Sequence, residues 1–172
     1  MGNIDKVTAF LDKINIKYTL HNHPSLATIE DVLKYRGNIP GEHCKNLFFR
    51  NHKGDRHYLV LLKCTRQLNV HDLEKNLKQG KLTFASKERM LKYLGLEPGS
   101  VSPFGLINDS EHHVKLFIDK DLEQTDIICF HPNDNRASIS IKWDDFILFL
   151  NYCGNEYDFV IVDENSQLKI GS

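Results

Sequence analysis

The stretch KNLFFRNHKGDRHYLVLL, residues 45–62, decides the fold of this chain. Two runs of apolar and aromatic residues, 45–50 and 56–62, flank the polar segment NHKGD. Gly54 supplies the residue that a tight turn needs, so the pattern predicts a β-hairpin. The segments on either side are interpreted outward from this hairpin.

Upstream of the hairpin, apolar residues from Ile4 to Ile14 recur at helical spacing and predict a helix to about Lys13. Thr28 and Asp31 resemble a capping box that opens a second helix, ending near Gly37. Further strands are predicted at 16–20, 81–86, 114–119, 126–131, 137–142 and 157–163, and further helices at 69–77, 86–94 and 143–154. This mixture indicates an α+β protein with one domain over residues 1–163 and a loose C-terminal tail at 164–172.

The bulk composition excludes several classes of protein. The chain of 172 residues carries 22 basic and 23 acidic side chains, a net charge of −1, so contact with nucleic acid has to be local. No apolar run reaches the ~18 residues of a membrane span, and the N-terminus lacks a secretory signal, so we expect a cytoplasmic protein that enters no membrane. Six basic residues are expected to be solvated helix faces, with phosphate contact as the alternative: Lys75, Lys78, Lys81, Lys87, Arg89 and Lys92.

The reactive side chains do not form a familiar catalytic or metal-binding motif. His21-x-His23, His112-His113 and Cys44 lack the spacing of zinc sites, and we expect surface histidines and no metal. No GxSxG elbow is present, and Cys129 lies inside an apolar run, where an inert core thiol is expected. Without GxxxxGK[ST] or GxGxxG, the sequence predicts no nucleotide cofactor.

Three features remain as candidates for chemistry. Lys45 opens the first hairpin strand and is followed by Asn46, so its cation could meet a phosphate or a polarised carbonyl, although a solvated lysine is the commoner case. The 96–109 stretch is long for a loop, and the main-chain amides of its GSVSP segment could cradle an anion or an oxyanion. His131 ends an apolar strand beside a turn, a place that suits either a polar transition residue or a substrate-binding group.

Taken together, HCKNLFFR, LEPGSVSPFGL and FHPNDNRASI resemble the prolyl-tRNA editing domain superfamily, in particular the free-standing Ala-tRNA(Pro) deacylases. The resemblance extends from the first helix to YDFVIVD. It implies an editing-domain fold, a single α+β domain with a mixed, largely antiparallel sheet surrounded by helices. It also implies trans-editing, the hydrolysis of the ester that joins a wrong amino acid to the terminal adenosine of tRNA(Pro).

The resemblance also implies roles for individual residues. The family lysine maps onto Lys45, the strand-end histidine onto His131, and the Gly-x-x-x-Pro loop onto Gly99, Ser100, Val101, Ser102 and Pro103. Backbone amides of that loop are expected to stabilise the oxyanion, while His131 orients the substrate. Asn46, Leu26 and Ile29 are the candidate substrate-binding residues, the last two as pocket walls that exclude proline.

The partner implied is the acceptor end of a mischarged tRNA(Pro), and the resemblance allows a transient contact with prolyl-tRNA synthetase. Two alternatives stay open. One is a Cys- or Ser-tRNA deacylase of the same superfamily. The other is a non-catalytic module that binds aminoacyl-tRNA or an amino acid and assists a synthetase, because enzyme folds can be reused without catalysis.

Overall fold

The computed structural model describes residues 1–25 and 29–171, and for Ile29, Val32, Leu33 and Arg36 the backbone alone. The helices are α1 Asn3–Lys13, α2 Ile29–Arg36, α3 Val70–Leu77, α4 Lys87–Leu94 and α5 Trp143–Cys153. The strands are β1 Tyr18–Asn22, β2 Glu42–Arg50, β3 His57–Lys63, β4 Thr83–Phe84, β5 Lys115–Asp119, β6 Ile127–Phe130, β7 Ala137–Lys142, β8 Tyr157–Val162 and β9 Leu168–Ile170. Short 3₁₀ helices occupy Pro103–Asn108 and Lys120–Gln124.

The strands form one mixed sheet in the order β1-β7-β6-β2-β3-β5-β8-β9, with β4 attached to β2. The predicted hairpin lies near its middle as the antiparallel pair β2–β3, in register from Cys44↔Lys63 to Arg50↔His57. Five strand pairs are antiparallel, while β2–β6, β3–β5 and β5–β8 are parallel. The predicted fold class, a single α+β domain with a mixed sheet flanked by helices, is confirmed.

Each face of the sheet has its own hydrophobic core, because side chains alternate between the faces along a strand. Phe48, Leu59 and Leu61 pack into the larger core with residues of α1, α4 and α5. Phe49 and Val60 point to the other face, into a smaller core with residues of α3 and β9. The even-numbered residues of β2 therefore face the larger core, and the odd-numbered ones the smaller.

Two sequence expectations need correction. Residues 164–172 were expected to be a loose tail, but Leu168–Ile170 form β9, which pairs antiparallel with β8 and buries Leu168. The stretch expected to be one long loop contains the 3₁₀ helix Pro103–Asn108, whose apolar residues Phe104 and Leu106 are buried. Burial of those side chains, which local turn signals do not report, explains both differences. Thr28 of the predicted capping box lies outside the described residues.

None of the helices in the described part of the chain is both long and apolar enough to cross a membrane.

A buried histidine of the hairpin, His57, forms a hydrogen bond with α4. This bond also helps to position the loop that follows α4. Arg89 donates to Nε2 of His57 at 3.0 Å and to the carbonyl of Gly54 at 2.8 Å. A guanidinium can only donate, so Nδ1 of His57 carries the proton and donates to Nε2 of His113 at 2.9 Å. The ring of Tyr93 lies 4.1 Å from His57 and 4.3 Å from His113, between ring centroids.

This cluster predicts a loss of stability in acid. Burial, reinforced by the neighbouring His113 and by the positive charge of Arg89, lowers the pKa of His57 from 6.5 to about 4. Between those pH values the unfolded chain binds a proton that the folded chain does not, so the free energy of unfolding falls as the pH falls. Urea denaturation from pH 7 to pH 4.5 should show this fall, and His57→Gln, which keeps both hydrogen bonds, should reduce its slope.

His112→Asn is the matched control, because His112 is exposed and asparagine tolerates its positive φ of 53°. Equal slopes for wild type, His57→Gln and His112→Asn would contradict the assignment to His57.

Candidate active site

The candidate site lies where strand β2 lacks a neighbour along part of its outer edge. That edge pairs with β6 at Glu42 and His43, and with β4 at Phe49 and Arg50. Between these two attachments, at Asn46, the edge has no strand partner among the described residues. The gap in the sheet exposes an edge that other strands would otherwise cover.

Two cavities adjoin this gap, and Asn46 lines both. The first, of about 250 Å³, is called here the loop cavity and is lined by Asn46, Leu47, Phe48, Phe84, Met90, Gly99 and Val101. The second, of about 30 Å³, is called the histidine cavity and is lined by His43, Cys44, Asn46, Cys129, Phe130, His131 and Ser138. The amide oxygen of Asn46 is buried and has no hydrogen-bond partner among the described residues. An unpartnered buried acceptor is costly in a folded protein, and a bound substrate could satisfy it.

The loop that borders the first cavity is built on a type II turn. Ser100 N–H donates to the carbonyl of Glu97 at 3.1 Å, with Pro98 and Gly99 as the central residues. The third residue of such a turn needs a positive φ, and Gly99 has φ +86°. A Cβ added at Gly99 would meet no atom within 4 Å, so the space above the turn is open.

The turn leaves main-chain amides available next to the cavity. Ser100 N–H is used inside the turn, and Phe104 N–H bonds the side chain of Ser102 at 3.1 Å. By contrast, no acceptor in the described part of the chain meets the N–H groups of Gly99, Val101 or Ser102. Gly99 and Val101 line the loop cavity, so their amides can donate to an anion that enters it, whereas Ser102 is fully buried and does not line the cavity.

Ser102 and Pro103 have a structural task as well. Ser102 is the N-cap of the 3₁₀ helix Pro103–Asn108, and Pro103 is its first residue. Proline suits that position because its fixed φ matches the helix and it has no N–H to satisfy. The pair therefore holds the end of the loop against the core.

His131 faces the second cavity in a defined protonation state. Its Nδ1 lies 3.0 Å from the carbonyl oxygen of Ala137, which can only accept, so Nδ1 carries the proton. Burial lowers the pKa of His131, and the nearby His23 adds to this effect, while the bond to Ala137 opposes it. Nε2 is then an unprotonated acceptor at neutral pH, and no donor among the described residues bonds to it.

The structure adds Ser138 to this cavity, a residue that the sequence did not single out, and pairs it with His23. Ser138 lines the cavity, and its Oγ lies 2.8 Å from Nε2 of His23. Nδ1 of His23 lies 2.8 Å from the carbonyl of Pro24, so Nε2 accepts the serine proton. Nε2 of His21 lies 3.3 Å from Oγ of Ser140, but Ser140 donates its proton to the carbonyl of Pro40 and therefore accepts from His21. The alternation His21-x-His23, expected to be on the surface, instead places both imidazoles against serines of β7.

Lys45 does not converge with the loop and His131. It lies opposite Leu62 in the hairpin, on the face of the smaller core, while its neighbours Cys44 and Asn46 face the site. Its Nζ donates to the carbonyl of Arg66 at 2.5 Å. The three candidate features therefore do not line one pocket. The loop and His131 line two cavities that share Asn46, whereas Lys45 lines neither, because the two-residue period of a strand sends adjacent side chains to opposite faces. A catalytic role for Lys45 stays a prediction.

The structure also describes the two cysteines next to the site, but not the side chains of the two predicted pocket walls. Cys129 lies in the core, as predicted, and burial raises its pKa to about 11. Burial also raises the pKa of Cys44, so neither thiol ionises readily next to the cavity. Leu26 lies outside the described residues, and only the backbone of Ile29 is described. Their proposed role as pocket walls stays a prediction.

Comparison with known proteins identifies the family of this site. The family described as "Aminoacyl-tRNA editing domain" matches residues 23–149, a range that contains Asn46, the 99–103 loop and His131. The chain belongs to the aminoacyl-tRNA editing domain family. It is accordingly an enzyme, an aminoacyl-tRNA deacylase, as the resemblance of its motifs implies.

Two family members and one solved structure show how far this similarity extends. The chain is 37% identical over 151 residues to the prolyl-tRNA editing protein ProX of Acetoanaerobium sticklandii, covering 88% of this chain and 92% of that protein. It is 31% identical over 150 residues to prolyl-tRNA synthetase associated domain-containing protein 1 of Mus musculus, covering 85% and 88%. A crystal structure described as a candidate trans-editing enzyme for prolyl tRNA synthetase superposes with a TM-score of 0.67 at 21% identity, over 99% of both chains, and shows the same fold.

Proposed function

We propose that this protein removes wrongly attached alanine from tRNA(Pro), acting in trans as a separate editing enzyme. Its relatives in the family are named for prolyl-tRNA editing and for association with prolyl-tRNA synthetase. The observation that carries the proposal is the position of Asn46 between the loop amides and the small cavity of His131. A substrate carbonyl and a small side chain can occupy these two places at once.

The proposed reaction is hydrolysis of the aminoacyl ester by water. The water oxygen attacks the carbonyl carbon, the bond from that carbon to the ribose oxygen breaks, and the ribose oxygen takes up a proton. In the tetrahedral intermediate the carbonyl oxygen carries negative charge, and hydrogen bonds from the unpaired amides of Gly99 and Val101, which both line the loop cavity, would stabilise it. An aminoacyl ester is already activated, so positioning and oxyanion stabilisation suffice without a thiol nucleophile.

The polar groups of the histidine cavity are suited to orient the substrate. Neutral His131 presents Nε2 as an acceptor, and the buried oxygen of Asn46 presents a second one. Together they match an α-ammonium group, which only donates. The loop amides would then face the ester carbonyl, which lies next to the ammonium group in the substrate and accepts hydrogen bonds. This division of donors and acceptors supports a site for an aminoacyl group.

Size supports alanine as the substrate side chain. A cavity of about 30 Å³ holds roughly two waters, at ~10–15 Å³ each, which leaves room for an ammonium group and a methyl group and little more. A pyrrolidine ring exceeds that volume and would displace buried side chains such as Phe130 and Cys129. Rejection by clash protects correctly charged prolyl-tRNA, the product that an editor must spare. Serine and cysteine differ from alanine by one atom and are discriminated less strongly by size alone.

A panel of substrates tests this function. Purified protein is incubated with alanyl-, seryl-, cysteinyl- and prolyl-tRNA(Pro), and loss of the ester is followed under single-turnover conditions. We expect alanyl-tRNA(Pro) to be hydrolysed fastest and prolyl-tRNA(Pro) to remain at the rate of a sample without protein. The steric argument requires the order to follow side-chain size.

Three results would contradict parts of the proposal. Equal hydrolysis of prolyl-tRNA(Pro) would refute exclusion by the small cavity, and a preference for cysteine or serine would reassign the substrate. If no substrate is cleaved while a known editing enzyme clears the alanyl ester, the hydrolytic function itself is wrong. Tight binding of alanyl-tRNA(Pro) without cleavage would indicate the non-catalytic binding module instead.

A further inference from the structure

An exposed phenylalanine stands at the rim of the loop cavity. Phe84 is 60% exposed, although it belongs to β4, the short strand paired with β2. One face of its ring rests on the buried ring of Phe49, with centroids 4.6 Å apart and an interplanar angle of 24°. The ring is therefore held in a fixed orientation while much of its surface remains open to solvent.

The ring borders the same cavity as the amides of the proposed reaction. Phe84, Gly99 and Val101 all line the loop cavity. A substrate whose ester carbonyl meets the loop amides must extend out of the site, because the histidine cavity on the other side of Asn46 holds only a small group. The nucleotide part of that substrate therefore leaves past the rim on which Phe84 stands.

The segment that contains Phe84 is strongly basic for a chain of net charge −1. Residues 75–92 contain six basic side chains and one acidic one, Glu88. Five of the six are exposed lysines, at positions 75, 78, 81, 87 and 92, whereas Arg89 is engaged with the hairpin. Among the ion pairs of the described residues, only one involves these lysines, Lys87 with Glu97 at 3.4 Å. Lys92 also lies over the ring of Tyr93, 5.1 Å from its centroid. Lys75, Lys78 and Lys81 have no ion-pair partner among the described residues, so their charges can meet a polyanion.

We propose that Phe84 is a stacking platform for a base of the unpaired 3′ end of tRNA, with the flanking lysines close to its phosphates. The inference rests on the proposed function and names how that substrate is held outside the reacting ester. Proteins that bind single-stranded nucleic acid combine aromatic rings for the bases with cationic side chains for the backbone. The segment around Phe84 provides both components next to the loop cavity, because it combines an exposed ring with several lysines.

The test separates binding of the nucleotides from turnover. Affinity for a short single-stranded RNA ending in CCA is measured by fluorescence anisotropy, and KM and kcat are measured with alanyl-tRNA(Pro). Phe84→Ala should weaken RNA binding by about 5- to 100-fold, the range for loss of one stacked base. The same variant should raise KM for alanyl-tRNA(Pro), while Phe84→Trp, which keeps a stacking surface, should stay within about threefold of wild type in both assays.

Leu148→Ala is the matched control, because Leu148 is 57% exposed but lies on α5 and lines neither cavity of the site. Wild-type affinity for Phe84→Ala would overturn the proposal, and so would equal losses for Phe84→Ala and Phe84→Trp. Unchanged RNA binding together with lost affinity for prolyl-tRNA synthetase would also overturn it and assign the ring to a protein partner. RNA binding that depends on Phe84 in a protein that cleaves no ester would leave this inference standing and refute only the hydrolytic function.

Discussion

Replacing Gly99 with valine is expected to lower kcat/KM for alanyl-tRNA(Pro) by about 100-fold or more, the effect of losing an oxyanion donor. Gly99 has φ +86° at the third position of the type II turn, a conformation that a β-branched residue adopts only under strain. Relief of that strain would rotate the turn and move the amides of Gly99 and Val101. Because nothing lies within 4 Å of a Cβ at Gly99, the valine side chain would also project into the open loop cavity.

Ser102→Ala is the matched comparison for Gly99→Val. Its hydroxyl caps the 3₁₀ helix by accepting from Phe104 N–H, but the proposed chemistry uses main-chain amides of the loop, which alanine leaves in place. We expect this variant to lose about 1 kcal/mol of unfolding free energy, as for a lost N-cap, while keeping kcat/KM within about tenfold of wild type. Thermal melts establish that both variants are folded at the assay temperature. Equal losses of activity would show that the loop serves structure alone.

Gly99→Asn separates strain from bulk. Asparagine tolerates positive φ better than other non-glycine residues, so it should preserve the turn while still adding a side chain. Activity closer to wild type than that of Gly99→Val would attribute the loss to backbone geometry. Activity as low as that of Gly99→Val would attribute it to filling the cavity.

The parts of the fold that local signals determine could be predicted from the sequence. The hairpin around Gly54 and the helices predicted at 69–77 and 86–94 depend on a few neighbouring residues, and they agree with the structure, in which Asn69 and Ser86 cap the two helices. Strand β9 could not be predicted in this way, because it is stabilised by pairing with β8 and by burying Leu168. Such long-range contacts leave no periodic pattern in a three-residue strand.

The candidate site was predictable as a set of segments but not as a geometry. The loop and His131 adjoin Asn46 as expected, whereas Lys45 lies on the other face of β2. Side chains at adjacent positions of a strand point to opposite faces of the sheet, but the sequence does not say which of two polar neighbours faces the ligand. The pairing of His23 with Ser138 joins residues 115 positions apart, and no local signal announces it.

Replacing His131 with asparagine is expected to lower kcat/KM for alanyl-tRNA(Pro) by about 10- to 100-fold, the cost of a misplaced substrate. The asparagine amide can donate to the carbonyl of Ala137 as Nδ1 does now, but it lacks an acceptor at the position of Nε2. This variant therefore removes the contact proposed for the α-ammonium group while keeping the turn after β6. Wild-type activity for His131→Asn would show that the histidine serves only to hold that turn.

The pH dependence of the rate provides a second, independent test of His131. Only its neutral form presents Nε2 as an acceptor, and protonation would also repel an ammonium group. Burial lowers the pKa of His131 below its ordinary 6.5. Wild-type kcat/KM should therefore be constant near neutrality and fall only when the pH drops to the lowered pKa of His131. In His131→Asn this acid limb should disappear, after correction for spontaneous hydrolysis, whereas His112→Asn, altered at an exposed histidine, should retain it. An acid limb that persists in His131→Asn would assign the titration to another group and leave His131 without a part in orienting the substrate.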